Sequence, residues 1–204
     1  MVGISLAIVL GHQLSADDVR GLPDRVFSCA PMREAAEALW TTMLPRWGNL
    51  GAVDEFRSLI PDQFSAMNIE AAWEQTAPGA EELVTFHWAG FRLVFGRRAI
   101  FAAHLEKLIG FVLNLDGLRE PLRACARALA RQLRSPLVAY GPDSALPFER
   151  TFDSVIDGHS LDDVLVRAAE LCGEPAQQIE GMMFDGRECR EQHGYFVEVI
   201  DYVR

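Results

Sequence analysis

Hydrophobic and polar positions along this chain fall into stretches of different period. Residues Gly3–Leu10 are apolar at almost every position, the pattern of a strand covered on both faces, and Gly11 marks its end. Ser15-Ala-Asp-Asp18 then supplies a cap and an acidic first turn for a short helix that stops before Pro23. From Pro31 the period is helical. Ala35, Ala36, Leu39, Trp40 and Met43 share one side, and Pro45 is expected to end the helix. Val53, Phe56, Leu59 and Ile60 predict a further helix closed by Pro61, and Ile69, Ala72 and Trp73 another turn or two before Pro78-Gly79.

Alternation takes over at Leu83. Val84, Phe86 and Trp88, then Phe91, Leu93 and Phe95, flank Ala89-Gly90 and predict two strands joined by a tight turn. Ile100–Leu115 is apolar enough for a buried helix or for a strand followed by a helix, and periodicity does not choose between them. Leu118, Leu122, Cys125, Leu129 and Leu133 form the clearest helical stripe, beginning near Asp116, with Pro121 early enough to be tolerated in the first turn. Ser135-Pro136 ends that helix, and Leu137–Tyr140 is a short strand running into Gly141-Pro-Asp-Ser144. Ser160 and Asp163 make a capping-box start for a helix that turns Leu161, Val164, Leu165, Ala168 and Leu171 inward and closes at Gly173-Glu-Pro175. Tyr195–Val203 alternates large β-formers and reads as a closing strand. This order of elements predicts a single α+β domain over residues 1–204, with a mixed or antiparallel sheet packed by several helices.

Charge changes the picture more than composition does. Half of the 204 residues are hydrophobic, enough for a sizeable core, and the net charge is −10. That charge is blocked along the chain. Phe91–Arg134 carries nine basic against three acidic residues, whereas residues 1–90 carry five against twelve and residues 135–204 five against fourteen. A strongly acidic chain is a poor general binder of nucleic acid, so a protein partner is expected and direct nucleic-acid binding is not. The apolar run Ile4–Leu10 lacks a basic flank and is too short to span a bilayer, so no membrane anchor is expected and the cytoplasm is the expected compartment. Cys29, Cys125, Cys172 and Cys189 are scattered without a C-x-x-C, which fits reduced thiols.

Inside the basic block, Arg119, Arg123, Arg127 and Arg131 recur at every fourth position on one side of a helix. Like charges at that spacing repel by about 0.2–0.5 kcal/mol per pair unless compensated. Two readings are open: acid from the flanking segments covers the stripe as an internal charge network, or the stripe is an anion site for phosphate or carboxylate. Asp143 and Ser144 sit at the turn after a strand, where sites are often carried, although a Pro142-Asp143 turn capping its own backbone accounts for them too. No G-x-S-x-G surrounds Ser144, and Gly90 and Gly96 are too isolated for a dinucleotide loop. Cys189 and His193 have a metal-compatible spacing but no second pair, so neither a metal nor a cofactor is expected. Asp153, Asp157, Asp162 and Asp163 cluster around a loop and helix start, a candidate partner surface.

Three local patterns resemble the small cytoplasmic immunity proteins that accompany bacterial polymorphic toxins. They are Ile4–Leu10 followed by Leu14-Ser15, the Tyr140-Gly-Pro-Asp-Ser144 turn, and Gly158-His-Ser-Leu-Asp-Asp-Val164 running to Gly173-Glu-Pro175, together about a third of the chain. The resemblance carries no binding residues. It implies a role: neutralising a toxin by occluding its active site, the toxin presenting a basic cleft to an acidic surface. The alternative from another class is a small-molecule enzyme for an anionic substrate, using the arginine stripe with Asp143, Ser144 or His159.

Overall fold

The computed structural model describes residues 6–22, 24–25, 29–47, 73, 83–104, 116–142, 146–179, 182 and 194–201. Its centre is β1 (Leu6–Gly11), every residue of which is buried. A capped short helix, α1 (Ala16–Arg20), follows, then α2 (Ala30–Trp47). Three strands come next: β2 (Val84–Trp88), β3 (Phe91–Phe95) and β4 (Ala99–His104). The long helix α3 (Asp116–Leu133) leads to β5 (Leu137–Pro142), and α4 (Leu146–Ile156) and α5 (Leu161–Cys172) precede the last strand, β6 (Phe196–Val199). The six strands form one sheet in the order β2-β3-β4-β1-β5-β6, with every neighbouring pair antiparallel. The fold is α+β, and of the two sheet types expected the antiparallel one is present. No described helix is long and apolar enough to cross a membrane.

Register sorts side chains by size. Leu6, Ile8 and Leu10 of β1 point with Ile100, Val138 and Tyr140 into a large core that includes Leu39 and Met43 of α2 and Leu118, Leu122, Cys125, Leu129 and Leu133 of α3. The other face of the sheet carries smaller groups around β1, with Phe101 of β4 as the large exception. Ala7 pairs across to Ala103 and Gly141, Val9 to Ala139, and Gly11 to Ala99. Val155 of α4 and Leu161, Val164 and Ala168 of α5 pack onto that face. Small residues let helices approach closely: a Cβ on Gly11 would stand 3.3 Å from Leu161 Cβ, and one on Gly96 would stand 1.9 Å from the Val155 carbonyl oxygen. The result is three layers, with α2 and α3 on one side and α4 and α5 on the other.

Local signals explain most element ends. Ser15 and Ser160 each accept from the backbone N–H three residues on, and Asp18 and Asp163 reach back to the cap residue, so both capping boxes form. Ala89 and Gly90 both have positive φ, 50° and 80°, the backbone of a two-residue hairpin turn that matches strand twist. Ser135 closes the gap between α3 and β5. Its hydroxyl accepts from Gly11 N–H at 2.9 Å and donates to the Leu137 carbonyl at 2.7 Å, tying the end of β1 to the start of β5.

The structure corrects two expectations and settles two stretches that the sequence leaves open. The α2 helix runs past Pro45 to Trp47, because a proline in the last turn removes a hydrogen bond without ending the helix. The first part of Ile100–Leu115 is strand, β4, whose Ala99, Ile100 and Phe101 pair with β1 while Phe95 and Val94 pair on its other side. Leu171 does not face inward; it is 39 % exposed near the end of α5. Residues 146–156 form a helix that the sequence reading leaves unassigned. The helices expected at Val53–Pro61 and around Ile69 lie outside the described residues, apart from Trp73.

Candidate functional site

Two members of the arginine stripe converge on one carboxylate. Glu198 stands on β6 opposite Val138 of β5, on the sheet face that α3 covers, and its side chain is 11 % exposed. Arg123 donates to it through Nη2 at 2.9 Å and Nε at 3.3 Å, and Arg127 through Nε at 2.7 Å. Tyr140, fully buried on β5, donates its hydroxyl to the same carboxylate at 2.7 Å. The exposed Glu120 completes the cluster, accepting from Arg123 at 2.9 Å and Arg127 at 3.1 Å. Two guanidinium groups are thus held between two carboxylates, which turns the repulsion of the i, i+4 spacing into alternating charge. The Arg123 guanidinium also lies 5.9 Å from the Phe196 ring centre.

The electrostatics follow from that geometry. Burial pushes the Glu198 carboxyl up, but hydrogen bonds from Arg123, Tyr140 and Arg127 outweigh it and hold the group below its ordinary range. Burial, reinforced by the neighbouring Glu198 charge, pushes the Tyr140 hydroxyl well up, so it stays a donor. Burial alone would lower both arginines, and the Glu198 contacts reverse this and raise them. Arg123 and Arg127 are therefore held by acid from β6 and from their own helix. An anion reaching them from solvent has to compete with Glu120 and Glu198.

The other two stripe members part company with this cluster. Arg119 is half-buried near the start of α3, and Arg131 is exposed at its end. Arg131 and Arg134, with Arg25, Gln13, Gln132 and Asp18, line a groove of about 540 Å³. Arg25 is anchored there, its Nη1 3.4 Å from the Asp18 carboxylate and its Nη2 on the Asp18 carbonyl.

The four aspartates of the expected partner surface all lie on the α4–α5 layer. Asp153 and Asp157 line a cleft of about 340 Å³ between the two helices together with Arg150, Arg167, Glu170 and Leu171. The surface there is of mixed charge rather than purely acidic. Asp163 is occupied as a cap: it accepts from the Ser160 hydroxyl at 2.6 Å and backbone N–H at 3.0 Å, and these bonds hold its carboxyl low. Asp162 is exposed beside it. On the same outward face of α5, Val166 is 60 % exposed, one turn from Asp162 and one from Glu170. Asp143 and Ser144 lie outside the described residues, as do Cys189 and His193.

Sequence reading missed Glu198 and gave no role to His12, just past the first strand. His12 is buried at the end of β1, where its Nε2–H donates to the Gly96 carbonyl at 2.8 Å and its Nδ1 accepts from Leu14 N–H at 3.1 Å. Both ring nitrogens are used, the ring is neutral, and burial holds its pKa low against the pull of the Gly96 bond. It pins β1 to the turn between β3 and β4, a structural role. Cys125 is buried with its thiol on the Ala35 carbonyl at 3.3 Å, and burial pushes that thiol far up, away from reactivity. Among the described residues no three His, Cys, Asp or Glu side chains are grouped to hold a metal ion. No family model, no curated protein and no solved structure matches this chain.

Proposed function

We propose that this chain is a non-catalytic binding protein, and in its specific form an immunity protein that neutralises a bacterial toxin by covering the toxin's active site. The observation that carries the reading is the outer face of the α4–α5 layer. Val166 is exposed on the outward side of α5, one turn from Asp162 and one from Glu170, and Leu171 is exposed in the neighbouring cleft with Arg150, Asp153, Asp157, Arg167 and Glu170. Exposed apolar side chains set among charged ones suit a protein interface, where the apolar groups supply burial and the charges supply steering. The acidic excess of residues 135–204 and the local likeness to immunity proteins point to a partner with a basic cleft, as toxins that attack nucleic acids or nucleotides present. Arg150 and Arg167 in the same cleft give it register, since a partner must place acid against them.

The test is co-expression with the product of the adjacent gene in cells that this product kills. Growth should be restored by the wild-type chain and the two proteins should co-purify. Val166→Asp, at an exposed position that leaves the core untouched, should abolish both while the variant stays folded. Protection that survives Val166→Asp together with Leu171→Asp would rule out this face. A neighbouring product that is not toxic and does not bind would rule out the immunity role.

A further inference from the structure

We propose that the groove at the C-terminal end of α3 is a binding site for a small oxyanion, a phosphate- or carboxylate-bearing molecule, held by Arg131, Arg134 and Arg25. It lies on the α2–α3 side of the sheet, where Leu14, Val19 and Leu22 pack into the core beside α3, and so across the sheet from the α4–α5 face. The inference stands independently of the docking surface proposed above.

Charge is the first ground. Among the described residues that line the groove, three arginines and the amides of Gln13 and Gln132 stand against one carboxylate, Asp18, which already serves its own helix cap and steadies Arg25. Among the described residues Arg131 and Arg134 have no carboxylate partner, in contrast to Arg123 and Arg127 on the same helix. A volume of about 540 Å³ suits a small molecule rather than a single ion, sites for which run from about 300 to 1,000 Å³.

The second ground is the backbone at Arg134. Helix α3 ends in a Schellman motif: Ser135 N–H bonds the Ala130 carbonyl at 2.8 Å and Arg134 N–H bonds that of Arg131 at 3.2 Å. Helix α4 ends the same way, with His159 N–H on Ser154 and Gly158 N–H on Val155, each at 3.0 Å. The residue between must be left-handed. In α4 it is Gly158, at φ 82°; in α3 it is Arg134, at φ 58°. A side chain is strained there and glycine is not. The attraction of helix C-terminal carbonyls for cations accounts for Arg131 in the last turn. It does not account for an arginine where the backbone favours glycine. Backbone strain at a cationic groove points to a binding role for the residue that carries it.

Calorimetric titration and thermal melting of the full chain with inorganic phosphate, pyrophosphate and citrate test this, each against sodium chloride of matched ionic strength. We expect saturable binding and a raised Tm with at least one of them, phosphate and pyrophosphate separating phosphoryl from carboxylate preference. Arg131→Gln with Arg134→Gln should weaken it at least about tenfold, what one charge-assisted hydrogen bond supplies. Arg134→Gly gives the sharper readout, because its two effects have opposite sign: the unliganded protein should melt higher and the anion should bind more weakly. No saturable binding by any of the three anions, a shift reproduced by chloride, or an unchanged affinity in the double variant would overturn the site.

Discussion

Replacing Glu198 by glutamine keeps the volume and one acceptor oxygen but removes the charge on which Arg123, Arg127 and Tyr140 converge. Hydrogen bonds to a charged group are worth about 1.5–3 kcal/mol each when deleted singly. They do not add here, because both arginines keep Glu120 and both are partly open to water. A net loss of about 2–3 kcal/mol is the reasoned expectation, between an exposed pair and a fully buried one. For a chain of this size that is a fall in Tm of roughly 4–12 °C. Urea denaturation followed by tryptophan fluorescence at neutral pH reads it directly. The pH dependence adds a sign. Glu198 titrates below its ordinary value of 4.5, so the unfolded chain binds the proton first and the network's stabilisation is lost as pH falls through the folded pKa. The gap between wild type and Glu198→Gln should therefore close in acid. A loss under about 0.5 kcal/mol at neutral pH, the level of a surface ion pair, would refute the view that this carboxylate organises the stripe.

Two further changes probe the layers on either side of the sheet. Gly96→Ala should destabilise by about 3 kcal/mol, the upper end of overpacking, because its Cβ would meet the Val155 carbonyl at 1.9 Å and main chain has to move; a denaturation midpoint close to wild type would contradict that packing. His12 titrates below its ordinary 6.5 in the folded state, so stability should decline as pH falls below about 6.5 and the unfolded chain takes up the proton. His87, lowered by burial and by Arg92, acts in the same window, so the measurement is the difference in Tm slope between wild type and His12→Gln, which should be shallower.

Much of this fold was legible because its elements carry short-range signals. The α3 stripe, both capping boxes, the Ala89-Gly90 turn and the doubly buried β1 each follow from residues within a few positions of one another. Helix α4 was not, since Pro147 and the β-branched Thr151 and Val155 mask a helical spacing that includes Phe152 and Val155. The extent of β4 depended on pairing with β1, a contact between residues about ninety positions apart that local periodicity does not encode. The site divides in the same way. The arginine stripe is a local pattern, but its compensation by Glu198 is set by the β5–β6 register, and the convergence of Arg25 with Arg131 and Arg134 by the packing of α1 beside α3. A carboxylate at the alternating inward position of a strand, as in Phe196-Val-Glu-Val199, was the one signal that could have singled out Glu198.

Docking of a basic partner on the mixed-charge face of α4 and α5 is tested by association kinetics. The product of the adjacent gene is bound to wild type and to the Asp153→Asn, Asp157→Asn, Asp162→Asn variant between about 50 and 500 mM salt, over which the Debye length falls about threefold. Steered docking predicts that the wild-type association rate drops steeply with salt, and that the variant associates more slowly at low salt, with little change in dissociation. Equal association rates for the two proteins, unchanged across that range, would rule out steered docking through this face.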